Sequence, residues 1–254
     1  MSSPTSSSRE LGIPRRLAHI WIGDKSPPKE WMASWSAHHP EWSYTLYDND
    51  FLRSYKFRTE RQIKEYLKRG QHAGAADLMR LEILYEVGGF MPGADSICLK
   101  NMDELFGEAR LYTIFENELV RGKLVSPIQA SPPGHPFLRS MIDVLSDTDP
   151  ADLDEPWITT GNLFTAQMIE RMQPEITIFP SHFMIPVHFT GVAYSGSGPV
   201  YAMQLFGTTR RIYGDRSLLG RGVDYIKSIR TRGYRVMRLA EVNRRKAELF
   251  KRAY

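Results

Sequence analysis

Hydrophobic and polar positions along the chain follow two periods, one of two residues and one of three to four. An apolar run at 15–23 stops at a glycine, and residues 43–48 alternate between polar and apolar side chains, so both segments are predicted to be strands. Further strand candidates lie at 96–100, 111–117, 124–131 and 176–180, and helix candidates at 26–40, 59–70, 72–89, 135–147 and 160–172. This alternation predicts an α/β fold with a largely parallel or mixed sheet.

The helix predicted at 73–87 carries charged residues on its apolar side. At about 100° per residue, Glu82 and Glu86 fall together on the expected solvent face. Asp77 and Arg80 instead share the apolar arc, where an unpaired charge is costly to bury. Two explanations stay open: the pair forms an i, i+3 ion pair, or the arc borders a cleft in which both side chains hold a polar ligand.

The segment after this helix, GGFMPGADSICLK at 88–100, contains one acidic residue between two short apolar runs. The helix passes through two glycines directly into the predicted strand, so Asp95 is expected to lie near Asp77 and Arg80. Three polar side chains in one place favour a ligand-binding pocket over a purely structural ion pair.

Composition restricts the class of protein. The chain has 254 residues, of which 42% are hydrophobic and 24% charged, as in soluble globular domains. No apolar run reaches the roughly 20 residues that span a bilayer, and a single cysteine, Cys98, argues against a disulfide framework or a thiolate metal cluster. Residues 1–12 lack the apolar core of a secretory signal and are predicted to be a disordered tail. Together these features predict a cytoplasmic protein without a transmembrane segment.

Charge is distributed unevenly along the chain. Residues 210–254 contain 14 Lys or Arg and four Asp or Glu, whereas the whole chain has a net charge of only +4. Two basic helices are predicted in this segment, near 217–230 and 238–252. Such a segment either contacts a polyanion, such as nucleic acid or an anionic membrane surface, or forms an ordinary solvated helical face.

The stretch from residue 76 to residue 95 resembles the central motif of a known family. This family comprises the DXD-containing glycosyltransferases of the initiating mannosyltransferase type, and its relatives include the glucosyltransferase domains of large cytotoxins. The positions that fit in order and spacing are Ala76, Asp77, Arg80, Leu84, Tyr85, Gly88, Gly89 and Asp95. Shorter similarities at 13–23, 43–50, 131–143, 158–169 and 201–207 extend the resemblance over about residues 13–207.

The resemblance implies a GT-A-like fold, in which a Rossmann-like mixed sheet is flanked by helices. This fold would occupy residues 13–213, and a basic helical extension would follow at 214–254. A nucleotide-sugar donor, transfer with retention of the anomeric configuration and a Mn²⁺ or Mg²⁺ cofactor are also implied.

The resemblance further implies roles for individual side chains. Trp21 would stack on the nucleotide base, Asp77 and Arg80 would hold the donor sugar or its phosphates, and Asp95 would anchor the cation with Gln204 as a second metal ligand. The implied catalytic residues are Asp77, Arg80 and Asp95. The implied donor-binding residues are Ile20, Trp21, Asp77, Arg80, Tyr85, Gly93, Asp95, Thr160, Gly161 and Asn162. For Tyr85, packing in the core is the alternative.

Three polar positions depart from the family pattern. Gly93 replaces the first aspartate of the Asp-x-Asp pair, Asn162 replaces a proline, and Gln204 replaces a histidine. Three interpretations stay open: the metal is held by Asp95, water and the diphosphate; basic residues such as Arg210 neutralise the diphosphate without a metal; or the protein binds a donor and does not transfer it.

The acceptor is specified less well than the donor. A glycan, a protein side chain and a modified base in DNA are all compatible with the sequence, and the basic segment would give DNA a salt-dependent affinity. The alternative to an enzyme is a catalytically degenerate pseudo-glycosyltransferase or a nucleic-acid-binding protein.

Overall fold

The computed structural model describes residues 10–206 and the backbone of a two-residue strand at 236–237. The strands are β1 Arg16–Ile20, β2 Ser43–Tyr47, β3 Gly89–Phe90, β4 Ser96–Cys98, β5 Leu111–Ile114, β6 Ala130–Ser131, β7 Ile176–Phe179, β8 Ala193–Tyr194, β9 Ala202–Gln204 and β10 Val236–Met237. The helices are α1 Lys29–His38, α2 Asn49–Ser54, α3 Glu60–Lys68, α4 His72–Val87, α5 Pro136–Asp147, α6 Pro156–Thr159 and α7 Asn162–Met172. Single 3₁₀ turns lie at Asp103–Leu105, Pro150–Asp152 and Ser181–Phe183.

Six strands form one mixed sheet in the order β2-β1-β3-β6-β5-β7. β6 runs antiparallel to both of its neighbours, and the other pairs are parallel. β4 leaves this sheet and pairs with β9, and β8 pairs with β10. The predicted α/β class with a mixed, helix-flanked sheet is therefore confirmed.

The two faces of the sheet bury two separate apolar clusters, because side chains alternate along each strand. Leu17 packs with Trp35 of α1 on one face, whereas Ala18 packs with residues of α4, α5 and α7 on the other. Leu11, which precedes the domain boundary predicted at residue 13, packs against the cluster of Leu17 and Trp35.

Glu82 does not lie on a solvent face, and this part of the helix prediction is wrong. It is 4% exposed, whereas Glu86, one turn further on, is exposed. α4 is covered by α3 on one side and by α5 on another, and buried side chains occur around most of its circumference. The Glu82 carboxylate accepts hydrogen bonds from the backbone N–H groups of Arg58 (2.8 Å) and Thr59 (2.9 Å), where α3 begins.

No helix among the described residues is long and apolar enough to cross a membrane. The two basic helices predicted near 217–230 and 238–252 lie outside the described residues, as do Arg210 and Arg211. The boundary at 213, the helical extension and its contact with a polyanion stay predictions.

Candidate active site at the carboxyl edge of the sheet

The carboxyl ends of β1, β2, β3, β5 and β7 meet at one edge of the sheet, because these strands run in the same direction. The chain moves from β1 to β2 on one side and later to β3 on the other. The strand order therefore reverses next to β1, and ligands of open α/β sheets bind in the crevice at such a point. Trp21 is the first residue after β1, and the segment with Asp95 directly follows β3.

Asp77 and Arg80 bond to different partners, although they are one helical turn apart on α4. The Asp77 Oδ2 atom accepts a hydrogen bond from Thr160 Oγ1 at 3.2 Å, and an Arg80 Nη1 hydrogen bond reaches the carbonyl of Met91 in the segment after β3. The Nε atom of Arg80 is buried, and no described residue accepts its hydrogen bond. Arg80 thus presents an unused donor, which favours a ligand-binding role over a closed structural ion pair.

The electrostatics of this pair follow from burial. Desolvation raises the pKa of Asp77 to about 7, against the opposing effects of Arg80 and the Thr160 hydrogen bond. Desolvation also lowers the pKa of Arg80, against the favourable charges of Asp77 and Asp95. Asp77 and Asp95 are therefore both close enough to Arg80 to interact with it electrostatically.

Asp95 and Gln204 are adjacent although they are 109 residues apart in the chain. The antiparallel pairing of β4 with β9 places Gln204 opposite Ser96. The Gln204 Nε2 atom donates to Asp95 Oδ1 at 2.6 Å, and the backbone N–H of Leu205 donates to the Asp95 carbonyl at 2.8 Å. The structure thus brings together the two side chains expected to ligate the cation.

Gly93 lies next to the side chains of Asp95 and Gln204. A Cβ atom at this position would lie 3.1 Å from Gln204 Oε1 and 3.3 Å from Asp95 Oδ1. The backbone of Gly93 does not have a positive φ, so a side chain is compatible with its conformation. A first aspartate would therefore point towards Asp95, as the Asp-x-Asp pattern requires, and its absence leaves a single carboxylate here.

The donor set fits a hard cation that also binds substrate phosphates. Asp95 offers a carboxylate and Gln204 an amide oxygen, and Mg²⁺ commonly uses one or two carboxylates with waters and phosphate oxygens. No cluster of three or more His, Cys, Asp or Glu that could enclose a metal occurs within the described ranges. The protein residues thus suit a cation that is shared with a diphosphate, and not one that they enclose alone.

Replacing Gly93 with aspartate is expected to strengthen Mn²⁺ binding about tenfold, because a second carboxylate adds a charged oxygen ligand. The measurement is calorimetric titration of MnCl₂ in the presence of UDP or GDP. Gly93→Ala is the matched control, since it adds the same Cβ atom without the carboxylate. Equal affinities for the two variants would show that this position does not face the cation.

The turn before α7 closes the site on the side of Asp77. Thr160 is 1% exposed and holds Asp77 as described, and Gly161 lies against the same carboxylate, because a Cβ atom there would be 3.1 Å from Asp77 Oδ2. Asn162 begins α7, and its Nδ2 atom donates to Glu116 Oε2 at 3.0 Å. All three residues of the predicted Thr-Gly-Asn turn therefore lie near the polar cluster formed by Asp77, Arg80, Asp95 and Gln204.

Two residues of the implied donor-binding set, Ile20 and Tyr85, pack in the core and do not join the polar cluster. Ile20 is buried in the core at the end of β1. Tyr85 lies eight residues beyond Asp77 on the same helix, which is about 12 Å at 1.5 Å per residue. Its ring packs against the core, and its hydroxyl interacts with Arg139 of α5. The structure therefore does not bring Tyr85 to the cluster, and the alternative of core packing accounts for it.

The side chain of Trp21 is half-buried at the carboxyl edge of the sheet, directly after β1. Its indole N–H donates to the carbonyl of Lys25 at 2.6 Å. Asn49 bonds to both backbone groups of Gly23, at 2.9 Å and 3.0 Å, and so fixes the loop after β1 to the end of β2. This loop positions the indole beside the point where the strand order reverses.

The residue pattern did not predict the polar group after β5. Glu116, Asn117 and Glu118 follow that strand and are all buried. Glu116 contacts Asn162, His188 and Arg121. The sequence did contain a signal for this polar group. Polar residues that follow an apolar strand are typical of the ligand-binding edge of an α/β sheet.

An open groove of about 740 Å³ adjoins this polar group. Its apolar lining residues are Phe115, Leu124, Val125, Leu163, Ala166, Ile169 and Ile178, and Arg121 is among its polar ones. Phe115 and Leu163 are direct sequence neighbours of Glu116 and Asn162. The groove therefore adjoins the polar group after β5 and continues along α7.

Comparisons with known proteins agree with this geometry. Residues 28–112 match the model of the glycosyltransferase sugar-binding region containing the DXD motif. Among solved structures, the PaToxG glycosyltransferase matches with a TM-score of 0.52 and 16% sequence identity, over 63% of this chain and 69% of that chain, which establishes a shared fold. No curated protein matches the chain significantly in sequence. Residues 28–112 are thus similar to the sugar-binding region of the DXD-containing glycosyltransferases, on a fold that the chain shares with a solved glycosyltransferase.

Proposed function

We propose that the protein transfers a sugar from a nucleotide-sugar donor to an acceptor hydroxyl or amide, with retention of the anomeric configuration. The observation that carries this proposal is the gathering of Asp77, Arg80, Asp95 and Gln204 at the carboxyl edge, beside Trp21. In the reaction the bond between the anomeric carbon and the diphosphate oxygen breaks. A bond from that carbon to the acceptor atom forms, and the acceptor loses a proton.

The side chains at the edge suit the separate parts of such a donor. The indole of Trp21 offers a flat surface for the base, since stacking on an aromatic ring tolerates any base. Arg80 offers the unused Nε–H to a phosphate or a sugar hydroxyl, and guanidinium groups bind oxyanions through paired hydrogen bonds. Asp77 accepts from a sugar hydroxyl when it is ionised, and it is already held in place by Thr160.

Asp95 and Gln204 would hold a Mn²⁺ or Mg²⁺ ion together with the diphosphate. Bound there, the cation would stabilise the negative charge that develops on the departing nucleoside diphosphate. Arg80 also interacts electrostatically with Asp95 and adds a positive charge near this place. Arginine side chains would carry this role alone if transfer proceeds without a metal.

The groove along α7 is the proposed acceptor surface, because it adjoins Asn162, which follows the turn that contacts Asp77. Its floor is mostly apolar, which suits a polypeptide segment with apolar side chains better than the phosphate backbone of DNA. Of the acceptors compatible with the sequence, a protein is therefore favoured. Modified DNA would have to be bound by the basic segment at 214–254. A cytoplasmic location stays a prediction from the sequence.

A thermal-shift screen of nucleotide sugars tests the proposal. UDP-, GDP-, CDP- and ADP-sugars are added with and without Mn²⁺, and hydrolysis of each donor is followed in parallel. One donor at 100 times its Kd is expected to add about 2.7 kcal/mol to the free energy of unfolding. Absence of any shift would exclude a nucleotide-sugar enzyme, and binding without hydrolysis or transfer to polypeptide, glycan or DNA acceptors would indicate a pseudo-glycosyltransferase.

A further inference from the structure

We propose that Glu116 is a positioning residue, which fixes the amide of Asn162 against the donor sugar. This inference rests on the proposed function and extends it to a residue that the motif does not contain. Glu116 lies two residues after the end of β5 and is 8% exposed. Asn162 begins α7, next to the turn that touches Asp77.

Glu116 is surrounded by hydrogen-bond donors. Its Oε2 atom accepts from Asn162 Nδ2 at 3.0 Å, its Oε1 atom lies 3.3 Å from His188 Nε2, and Arg121 Nε, 3.5 Å from Oε1, forms an ion pair with it without a hydrogen bond. These donors come from three separate segments of the chain. The carboxylate therefore joins the start of α7 to the loops after β5 and β7.

The tautomer of His188 follows from its other contacts. The imidazole is fully buried, and its Nδ1 atom lies 2.7 Å from Thr190 Oγ1 and accepts from the Thr190 backbone N–H at 3.4 Å. An Nδ1 atom that accepts carries no proton in the neutral ring, so the proton is on Nε2. His188 therefore donates to Glu116, and both carboxylate oxygens face donors.

This arrangement determines the orientation of the Asn162 amide. A carboxylate only accepts hydrogen bonds, so the NH₂ group of Asn162 must face Glu116. The carbonyl oxygen is then directed away from Glu116 and is left to accept from another group. Because α7 starts directly after Gly161, which contacts the Asp77 carboxylate, a hydroxyl of the donor sugar is the proposed partner of this oxygen.

The change Glu116→Gln tests the inference. Glutamine offers one accepting oxygen and one NH₂ group, so either Asn162 Nδ2 or His188 Nε2 would face another donor, and the ion pair with Arg121 would be lost. We expect the Asn162 amide to lose its fixed orientation and kcat/KM for donor hydrolysis to fall about 10–30-fold, with a higher KM for the donor as well as a lower kcat, as for a misplaced sugar-binding group.

A double-mutant cycle separates positioning from stability. If Glu116 acts through Asn162, then adding Glu116→Gln to Asn162→Ala changes kcat/KM less than about twofold, because the group to be oriented is already gone. Equal losses in the wild-type and Asn162→Ala backgrounds would overturn the inference and leave Glu116 a structural residue.

Glu118→Gln is the matched control for burial of a carboxylate. Glu118 is 2% exposed and accepts from the backbone N–H of Ser181 at 3.1 Å, and among the described residues it makes no hydrogen bond to Asn162. We expect this variant to lower Tm and to change kcat less than about twofold. Similar kinetic losses for both glutamine variants would show a general effect of disturbing this edge.

Binding of nucleotides gives a readout that does not depend on turnover. Glu116→Gln should keep the thermal shift produced by UDP or GDP and should lose most of the extra shift produced by the sugar of the donor. If the wild-type protein binds nucleotide sugars and the variant retains the full extra shift, the inference alone fails. If the wild-type protein binds none of them, the proposed function fails and the inference fails with it.

Discussion

Changing Asp95 to asparagine is expected to lower the rate of sugar transfer at least about 100-fold, which corresponds to about 2.7 kcal/mol of lost transition-state stabilisation. Asp95 contributes a carboxylate beside Gly93 and Gln204, where the position of the first aspartate of the pair is a glycine. The asparagine variant keeps the size of the side chain and its bond to Gln204, but it removes the negative charge that a cation requires. Transfer kinetics and calorimetric titration of Mn²⁺ with UDP or GDP measure the two consequences separately.

Asp147→Asn serves as the control for removing a negative charge, because Asp147 is exposed on α5. It should leave both the rate and the Mn²⁺ affinity unchanged. Full activity of Asp95→Asn in the presence of EDTA would rule out metal assistance through this residue. The hypothesis that arginine side chains alone neutralise the diphosphate would then replace it.

Changing Glu82 to alanine is expected to lower the free energy of unfolding by about 3 kcal/mol or more. Three hydrogen bonds to the carboxylate are lost, and two of the donors are backbone N–H groups at the start of α3. Bonds to a charged acceptor contribute about 1.5–3 kcal/mol each, and an unpaired buried donor adds its own desolvation penalty. For a protein of this size the change corresponds to a fall in Tm of about 6–12 °C.

Glu86→Ala is the matched control, since it removes the same side chain one turn further along the same helix, where it is exposed. Its effect should stay within about 0.5 kcal/mol. Chemical denaturation at neutral pH measures both variants. Equal and small effects would show that Glu82 does not support the start of α3, in conflict with the hydrogen bonds of the structure.

The contrast between these two glutamates shows the limit of helical periodicity. A helical-wheel argument assumes one core face and one solvent face, and it places Glu82 and Glu86 together. α4 is instead packed between other helices along part of its length, so the surroundings of Glu82 depend on where α3 begins. The placement of Asp77 and Arg80 near Asp95 could be predicted, because α4 leads through two glycines into the strand region that ends at Asp95.

The sequence alone determined the fold class, the order of strands and helices, and the location of Trp21 after the first strand, because local periodicity fixes them. It also predicted the clustering of Asp77, Arg80 and Asp95, because short chain connections join the segments that carry them. The family resemblance implied that Gln204 and Asp95 share a metal, and the tertiary structure shows how they meet, because β4 leaves the main sheet to pair with β9. Only the tertiary structure decided the surroundings of Glu116, which bonds to side chains 46 and 72 residues away. Such contacts depend on how segments that are distant in the chain pack against one another. A local pattern of residue types therefore does not predict them.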